Sequence, residues 1–336
     1  MKKLLTVGAP PHFHAEDSIR RRMATVILAL LPVAVFSVVS FGWRALVLLV
    51  VTVLSCVGTE TLFCAVLKKK NTASDLSSVV SGLLLAFCLP VTTPYLAAVA
   101  GGVFAIAVVK LLFGGLGRNF LNPALAARAF LYTFSSLPVV GVAAFSDPKV
   151  PVLYDGLFGW KTGFVPETGE ELLSVLKAGE LPRTNFADIL MGNTAGNLGE
   201  TCLVLLAIGG VFLILRGIVS WQVPLAFLGG TALCAFLFPY GGQTFSGVHV
   251  LLELCGGGTV LAAFFLATDP VTGPVTGKGR LLYGFLCGVL TVVFRRLDSV
   301  GDGVTFAILL MNLFAVAFDR LTAPRRYGRG GEKKHG

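Results

Sequence analysis

Three carboxylates stand at positions where a charge inside a membrane could do chemistry. Glu60 and Glu253 interrupt long apolar runs, and Asp269 directly follows the apolar run TVLAAFFLAT. A carboxylate in a bilayer is costly unless it is paired or protonated, and such residues often mark ion pathways. His249 precedes Glu253 by four residues, which puts the two on one helix face. All three carboxylates are therefore candidates for an ion pathway, although a structural hydrogen bond near a helix end would explain Glu60 or Glu253 equally well.

Two glycine- and asparagine-rich segments could hold a ligand. In GGLGRNFLNPALAARAF (114–130), Arg118, Asn119, Asn122 and Arg128 stand beside a glycine-rich turn and a proline at a helix start. Free N–H groups at a helix start and nearby guanidinium groups could bind an anion such as phosphate, but helix capping and anchoring to the cytoplasmic side explain the same residues. The segment GNTAGNLGET (192–201) has the composition of a re-entrant loop, or of a solvent turn that ends in a cap. Its binding candidates are Gly192, Asn193, Thr194 and Thr201.

The composition indicates an all-α integral membrane protein. Of 336 residues, 55% are apolar and 13% are charged, and the mean hydropathy is +0.82. Runs such as TCLVLLAIGGVFLIL are apolar on every side, as membrane-spanning helices are. The net charge of +9 comes from basic residues beside such runs, which is a topology signal rather than a sign of nucleic-acid binding. No removable signal peptide is evident, so we expect the amino terminus to be retained.

Several chemistries are not expected. The chain has no Walker loop, no GxGxxG motif that opens a helix after a strand, no HExxH motif and no histidine pair spaced along a span for haem. These absences argue against ATP hydrolysis and cytochrome-type electron transfer. The seven cysteines are scattered through apolar runs without a CxxC pair, so no metal site is predicted and the thiols are expected to be small buried hydrophobes.

At about 20 residues per span, the pattern predicts about ten transmembrane helices. We expect them near 24–42, 45–67, 76–89, 95–113, 123–144, 201–216, 221–238, 247–268, 281–295 and 303–321. Lysine and arginine are retained on the cytoplasmic side, which predicts both termini inside and the segment 146–200 outside. Arg295 and Arg296 would then lie at the outer surface, where Asp298 or Asp302 could pair with them.

A short internal match links the two halves. Pro90-Val91-Thr92-Thr93-Pro94 and Pro270-Val271-Thr272-Gly273-Pro274 agree at four of five positions, and each follows an apolar helix, the third and the eighth. An offset of five crossings, an odd number, puts the two copies at opposite surfaces, as in inverted-topology repeats. The sequence thus predicts two inverted five-helix repeats, 1–145 and 201–322, separated by the extracytoplasmic segment 146–200 and followed by a basic cytoplasmic tail, 323–336. The alternative is two unrelated turns that share proline and threonine.

Several stretches together resemble one family. SSVVSGLLLAFCLP, KLLFGGLGRNFLNPALAARAFL, MGNTAGNLGET, FLATDPVTGPVTGKGRLLYG and GVTFAILLMNLFAVAFDRLT are similar to RnfD of the Rnf electron transport complex and, less closely, to NqrB of the Na⁺-pumping NADH:quinone reductase. The resemblance implies an electron-transport flavoprotein in the cytoplasmic (inner) membrane of a prokaryote, carrying FMN, riboflavin or both. It also implies Rnf subunits A, B, C, E and G as partners, the membrane lipid as surroundings, and an inverted-repeat fold similar to urea channels.

One family motif is altered. Members carry Ser/Thr-Gly-Ala-Thr in the outer segment, and the last threonine is esterified to FMN. Aligned on LLSVLK, this chain has Thr168-Gly169-Glu170-Glu171, so Glu171 stands at the flavin-bearing position. A carboxylate cannot form that ester and would repel the phosphate. Thr168 remains a covalent candidate by matching the first position only, and non-covalent flavin stays open.

The leading hypothesis is therefore a membrane subunit of a Na⁺- or H⁺-translocating ferredoxin:NAD⁺ oxidoreductase (a translocase), with no catalytic residues or independent catalysis of its own. Two alternatives remain. One is a urea-channel-like passive transporter, because a fold does not determine function. The other is a flavin-free scaffold paralogue, which the altered motif favours.

Overall fold

The computed structural model describes residues 18–68, 72–134, 172–178, 186–192, 196–200, 202–240, 247–297 and 303–323. Every regular element in these ranges is helical. In chain order the helices are α1 (Ile19–Phe41), α2 (Trp43–Val66), α3 (Ser77–Phe87), α4 (Tyr95–Leu111), α5 (Pro123–Thr133), α6 (Leu172–Lys177), α7 (Phe186–Met191), α8 (Leu203–Leu215), α9 (Gln222–Leu237), α10 (Gly247–Cys255), α11 (Thr259–Leu266), α12 (Gly277–Arg296) and α13 (Gly303–Thr322). Short 3₁₀ turns cover Ala73–Asp75 and Leu198–Glu200.

The helices are apolar enough to make the chain a polytopic membrane protein. Four of them, α1, α2, α12 and α13, have the length and hydropathy of membrane spans. A fifth candidate is α10 together with α11, which are bent by 68° at a short break. The other apolar helices, α3, α4, α8 and α9, have 10 to 17 residues. The sequence prediction of a helical polytopic fold is thus confirmed, whereas the count of ten crossings stays a prediction.

The eighth predicted helix, 247–268, is wrong as a continuous element. The structure interrupts it between Cys255 and Thr259, well before Pro270. The interruption falls on three consecutive glycines, of which Gly257 and Gly258 have φ of +60° and +67°. Left-handed backbone costs little for glycine and ends a helix, so the glycine run decides the position of the break. The fifth helix, predicted to reach 144, ends at Thr133 in the described chain, and 135–144 lie outside it.

Glycines allow the closest helix pairs to form. A side chain at Gly288 of α12 would put its Cβ 2.7 Å from the backbone nitrogen of Thr231 in α9, and one at Gly284 would put it 2.7 Å from the carbonyl of Val223. Gly102 of α4 packs in the same way against Ser55 of α2. Small residues at such contacts let backbones approach, which is how helices gain packing energy in a bilayer.

Two helices, α4 and α11, contain π-helical turns. Phe104–Leu111 forms the second half of α4, and Ala262–Leu266 forms most of α11. A π turn inserts an extra residue per turn and rotates the side chains that follow it, and such turns are frequent at functional sites. Lys110 lies within the π-helical part of α4, and its side chain is in the bundle interior, 2% exposed.

The glycine contact gives a first prediction. We expect Gly288→Val to lower the free energy of unfolding by about 1–3 kcal/mol, because the added methyl groups must push α9 and α12 apart. Thermal unfolding of the purified protein measures the change. Gly229→Val on α9 is the matched control, since no atom lies within 4 Å of a Cβ placed there. Equal stability of the two variants would contradict the close packing of α9 on α12.

Candidate functional site

One cavity lies where the two halves of the chain meet. It has an empty volume of about 910 Å³ and is lined from the first half by the start of α1, the start of α3, Lys110 and the 116–123 segment. From the second half it is lined by the end of α8, by Phe264 and Phe265 of α11, and by the Thr268–Val271 turn. Its walls are mostly apolar, with a few polar groups. A mostly apolar lining with a few polar groups is typical of small-molecule sites in proteins.

A buried ion pair stands behind the cavity wall. The Nζ atom of Lys110 lies 2.8 and 3.0 Å from the two carboxylate oxygens of Glu60, and neither side chain is more than 2% exposed. Lys110 also donates to the hydroxyl of Ser77 at 2.6 Å, and Thr72 donates to Glu60 at 2.6 Å. The carboxylate that the sequence marked as a possible ion ligand is therefore neutralised by a lysine and accepts three hydrogen bonds.

Asn122 joins the two halves at the cavity. Its Oδ1 accepts from the backbone N–H groups of Ala124 and Leu125 and so caps α5, while its Nδ2 donates to the carbonyl of Leu266, 144 residues away. Asparagine is a favoured cap because its short side chain satisfies N–H groups that the helix leaves free. The geometry of this residue thus agrees with the capping interpretation.

Asn119 has an unsatisfied atom in the same wall. Its Nδ2 donates to the carbonyl of Leu121, but its Oδ1 has no hydrogen-bond partner within the described chain, although the residue is only 5% exposed. A buried oxygen without a donor costs free energy, and in native proteins such groups usually meet a ligand or water. Asn119 thus offers a ready acceptor to an N–H or O–H group in the cavity.

Asp269 contributes a carboxylate to the opposite wall. Its side chain accepts from the backbone N–H of Val271 at 3.1 Å and from the hydroxyl of Thr272 at 3.3 Å. The residue lies in the turn after α11. Burial raises the pKa of Asp269 above its ordinary value, and the two hydrogen bonds oppose that shift only in part. Asn122 and Asp269, from opposite halves, therefore share one site.

Glu253 belongs to a separate cluster at the other end of α12. It forms a two-point ion pair with Arg296, at 2.7 and 3.0 Å, and the Nε2 atom of His249 lies 3.9 Å away. The guanidinium of Arg296 also lies over the ring of Tyr240, 3.6 Å from its centre. The structure thus gives Arg296 a partner in Glu253, whereas Asp298 and Asp302 are outside the described residues.

Arg295 holds the broken span together. Its guanidinium donates to the carbonyls of Glu253, Gly256 and Gly257 and to the hydroxyl of Thr259, at 2.8 to 3.2 Å. It is 1% exposed. The carbonyls at the end of α10 have no partner in the helix, so a cation placed there both satisfies them and meets the negative end of the helix dipole.

The remaining candidates lie elsewhere. Arg118 is exposed and does not line the cavity. Gly192, at the end of α7, is buried with φ of +86°. Thr168, Glu171, Asn193, Thr194 and Thr201 are outside the described residues. All seven cysteines are free, and six of them are buried, in line with their expected role as small hydrophobes.

Sequence reasoning missed Lys110 and Ser77, and it marked Asn119 only as one of the polar residues beside the glycine-rich turn. Lys110 was counted only as a topology charge, although it stands within the apolar run AIAVVKLLF, where a charge at membrane depth needs a partner. The position of Lys110 within this apolar run could have predicted that it is buried and paired. Nothing in the spacing of Ser77 or Asn119 distinguishes them from capping residues.

The chain has near full-length relatives. Residues 6–328 match the family described as NQR2, RnfD, RnfE. A protein of Acetobacterium woodii, named as the D subunit of the Na⁺-translocating ferredoxin:NAD⁺ oxidoreductase complex, is 39% identical over 327 residues, which cover 96% of this chain and 95% of the relative. One of Clostridium ljungdahlii, named as the D subunit of the proton-translocating ferredoxin:NAD⁺ oxidoreductase complex, is 34% identical over 337 residues, 97% of each chain. The D subunit of an ion-translocating oxidoreductase complex of Stutzerimonas stutzeri is 34% identical, over 95% of this chain and 94% of the relative.

The Glu253 cluster yields a second prediction. We expect Arg296→Gln to lower the free energy of unfolding by about 3 kcal/mol, because the carboxylate of Glu253 then stays buried without its cation. Thermal unfolding in detergent checks it. The double variant Glu253→Gln/Arg296→Gln removes the charge and the cation together, and we expect it to recover most of the loss. A double variant less stable than Arg296→Gln would contradict this interpretation.

Proposed function

Because the chain belongs to the NQR2, RnfD, RnfE family, we propose that it is the RnfD subunit of an ion-translocating ferredoxin:NAD⁺ oxidoreductase complex, with the other Rnf subunits, A, B, C, E and G, as its partners. The observation that carries the proposal is identity of 34 to 39% along essentially the whole chain to D subunits of such complexes. One of these relatives is named for Na⁺ and another for protons, so this degree of similarity is compatible with either coupling ion.

We propose that a flavin binds non-covalently in the cavity between the halves. A flavin accepts and donates electrons one or two at a time, which suits a subunit that passes electrons. The residues present fit such a group. Phe264 and Phe265 offer apolar surface to a flat ring system, and the free Oδ1 of Asn119 offers an acceptor to a ring or ribityl donor.

The covalent attachment of the family does not fit this chain. A phosphoester needs a hydroxyl, and Glu171 supplies a carboxylate at the position of the esterified threonine. A negative side chain would also repel the FMN phosphate. We therefore infer that Glu171 carries no flavin. Thr168, which keeps only the first position of the motif, is the remaining hydroxyl that the experiment below must exclude.

We propose that 1–145 and 201–322 are inverted repeats of five helices each, joined by the outer segment 146–200. One support is the placement of the two proline motifs. The helix α3 starts at the cavity with Ser77 and ends before Pro90 at the far end of the bundle, where Leu198 donates to the carbonyl of Leu89. The second motif, in contrast, starts in the cavity wall at Asp269 and Pro270.

Matching contacts in the two halves give further support. In the first half, Cys56 of α2 lies with its Sγ 3.9 Å from the carbonyl of Gly102 in α4. In the second half, Thr231 of α9 has its hydroxyl 3.5 Å from the carbonyl of Gly288 in α12. In each half the contact joins the second helix to the helix that follows the proline motif, as equivalent helices of two repeats would do.

The cavity end is proposed to face the cytoplasm, with both termini on that side of the inner membrane and the basic tail 323–336 beyond α13. Arg20, Arg21, Lys278 and Arg280 lie next to the helix starts and turns that border the cavity. This accumulation follows the positive-inside rule. Three arginines of the far end bind protein acceptors instead, since Arg44 donates to the carbonyl of Thr92, Arg296 to Glu253, and Arg295 to the broken span.

Glu60, Glu253 and Asp269 are retained as proposed ion-pathway residues, with different prospects. Asp269 lines the cavity and has no cationic side chain among its hydrogen-bond partners in the described chain, so its carboxylate is available to a cation. Glu60 and Glu253 are each neutralised by a basic residue. An ion could use these two carboxylates only by displacing Lys110 or Arg296.

The flavin proposal gives a third prediction. We expect the purified complex to release flavin from this subunit on acid precipitation, and the denatured chain to show no in-gel flavin fluorescence. Thr168→Ala should leave both results unchanged. Asn119→Leu should lower the amount of acid-released flavin, whereas Phe120→Leu, an exposed neighbour outside the cavity wall, should not.

Fluorescence of the denatured chain that disappears in Thr168→Ala would contradict non-covalent binding. A native subunit without flavin would favour the scaffold alternative, and solute flux through such a subunit in liposomes would favour the passive transporter.

The repeat proposal gives a fourth prediction. Single cysteines in a cysteine-free chain at Thr92 and Val275 should be labelled by an impermeant thiol reagent from opposite sides of the membrane, because the two proline motifs lie at opposite ends. Val275 is 73% exposed, which makes it a better target than the buried Thr272. A cysteine at Lys278 should behave like one at Val275. Labelling of positions 92 and 275 from one side would contradict the inverted arrangement.

A further inference from the structure

A chain of hydrogen bonds leads from the surface to the cavity wall. The hydroxyl and the backbone N–H of Ser77 both donate to Oδ1 of Asp75, and the same hydroxyl accepts from Lys110. On the other side of the ion pair, the hydroxyl of Thr72 donates to Glu60. Thr72 is exposed and Asp75 is half-buried, whereas Lys110 and Glu60 are buried. The buried pair is thus connected to water by two separate hydroxyl groups.

The turn that carries these hydroxyls is held in an unusual backbone conformation. Leu76, between Asp75 and Ser77, has φ of +66°, which is the left-handed region that side chains other than glycine seldom adopt. This residue marks the boundary between the 3₁₀ turn and α3, and its conformation lets both donors of Ser77 reach one oxygen of Asp75. Strain of this kind persists where the surroundings require it and is often found at functional sites.

The position of the Lys110–Glu60 pair suggests a role for its hydrogen-bonded connection to the surface. Lys110 lines the cavity in which we propose a flavin, and Ser81 and Leu84 of α3 line the same wall. An electron that arrives in an apolar cavity adds a negative charge, which is costly in a low dielectric unless a proton follows. Lys110 carries a proton at that wall, and the two hydroxyls can replace it from the surface.

We propose that Asp75, Ser77, Lys110, Glu60 and Thr72 form a proton relay from the cytoplasmic surface to the cavity. This inference rests on the proposed flavin function and deepens it. The electron comes from a redox partner subunit of the proposed complex, and the proton comes from water.

The ammonium of Lys110 gives one proton to the acceptor in the cavity and keeps the electron pair of the broken N–H bond. Ser77 then gives its hydroxyl proton to the neutral amine and takes a proton from Asp75, which a hydronium ion had protonated. By the second route, Thr72 gives its hydroxyl proton to the carboxylate of Glu60 and takes one from a hydronium ion, and Glu60 then passes the proton to the neutral amine and regains its charge. One proton has moved from water to the cavity, and every group is back in its starting state.

The experiment uses the intact complex with Ser77→Ala, Thr72→Val and the double variant. The matched control is Ser81→Ala, because Ser81 lines the same cavity but its hydroxyl donates to the carbonyl of Ser77, at 3.0 Å, and not to the ion pair. Stopped-flow absorbance measures the rate of flavin reduction in H₂O and in D₂O. We expect the double variant to slow reduction at least about tenfold and to enlarge the solvent isotope effect, because proton delivery becomes limiting. Ser77→Thr, which keeps the hydroxyl, should reduce flavin at about the wild-type rate, in contrast to Ser77→Ala.

A second measurement does not depend on turnover. In flavin-free protein, a rapid pH jump followed by infrared spectroscopy reports how fast the buried carboxylate of Glu60 responds to protons outside. We expect the response to be slower in the double variant than in wild type and in Ser81→Ala. The amount of bound flavin should be equal in all variants, which separates a relay role from a structural one.

The outcomes distinguish the relay from the function on which it rests. Wild-type complex that contains flavin, combined with unchanged rates and isotope effects in the double variant, would overturn the relay and leave the proposed function standing. Complex without flavin in this subunit would overturn both. An equal slowing by Ser81→Ala would also overturn the relay, because the effect would then follow from changes in the cavity wall.

Discussion

The structure depends on one constraint, which is that a polar group withdrawn from water into an apolar bundle must find its partner within the chain. The energetic penalty for an unpaired charge or N–H group at that depth is several kcal/mol, so each buried polar residue imposes a contact on its neighbours. Lys110 and Glu60 fasten α4 to α2 in this way, and Arg296 and Glu253 fasten α12 to α10. Apolar packing brings the helices together, but these pairs determine which faces meet.

The same constraint explains why the site forms between the halves. Asn122 satisfies the start of its own helix with one side-chain atom and the carbonyl of Leu266 with the other, so α5 and α11 stay in register at the cavity. The turn that follows α11 then presents Asp269 to the same space. Asn119, three residues before Asn122, is left with an acceptor that no group of the described chain fills. A ligand that supplies a donor completes a wall that these residues alone leave unsatisfied.

Much of this fold could be predicted from hydropathy and helix breakers. Long apolar runs predicted α1, α2, α12 and α13 within a few residues, because burial in lipid requires nothing more specific than length and composition. The break inside 247–268 was missed because the proline motif was given more weight than the glycines at 256–258, although glycine at positive φ ends a helix as firmly as proline does. The sequence pattern also cannot predict a π turn, because tertiary packing rather than amino-acid composition causes such a turn.

The candidate site was predicted only in part, and for a physical reason. Asn122 and Asp269 attract notice as polar residues beside helix ends, and both line the cavity. Their common location depends on how two halves of the chain pack, which no local pattern contains. The pairing of Glu60 with Lys110 spans 50 residues, and Lys110 lies in the π-helical part of α4, which the sequence pattern does not predict. Similarity to whole relatives identifies the family, yet it does not supply these contacts.

The four hydrogen bonds of the Arg295 guanidinium limit how the protein can move. Straightening the bent span would separate the guanidinium of Arg295 from three carbonyls and a hydroxyl. The side chain is 1% exposed, so water could not replace these acceptors. These hydrogen bonds hold α12 and the bent span together at the end of the bundle away from the cavity. Less would have to be broken at the cavity end, where a single hydrogen bond among the described residues, from Asn122 to the carbonyl of Leu266, joins the two halves.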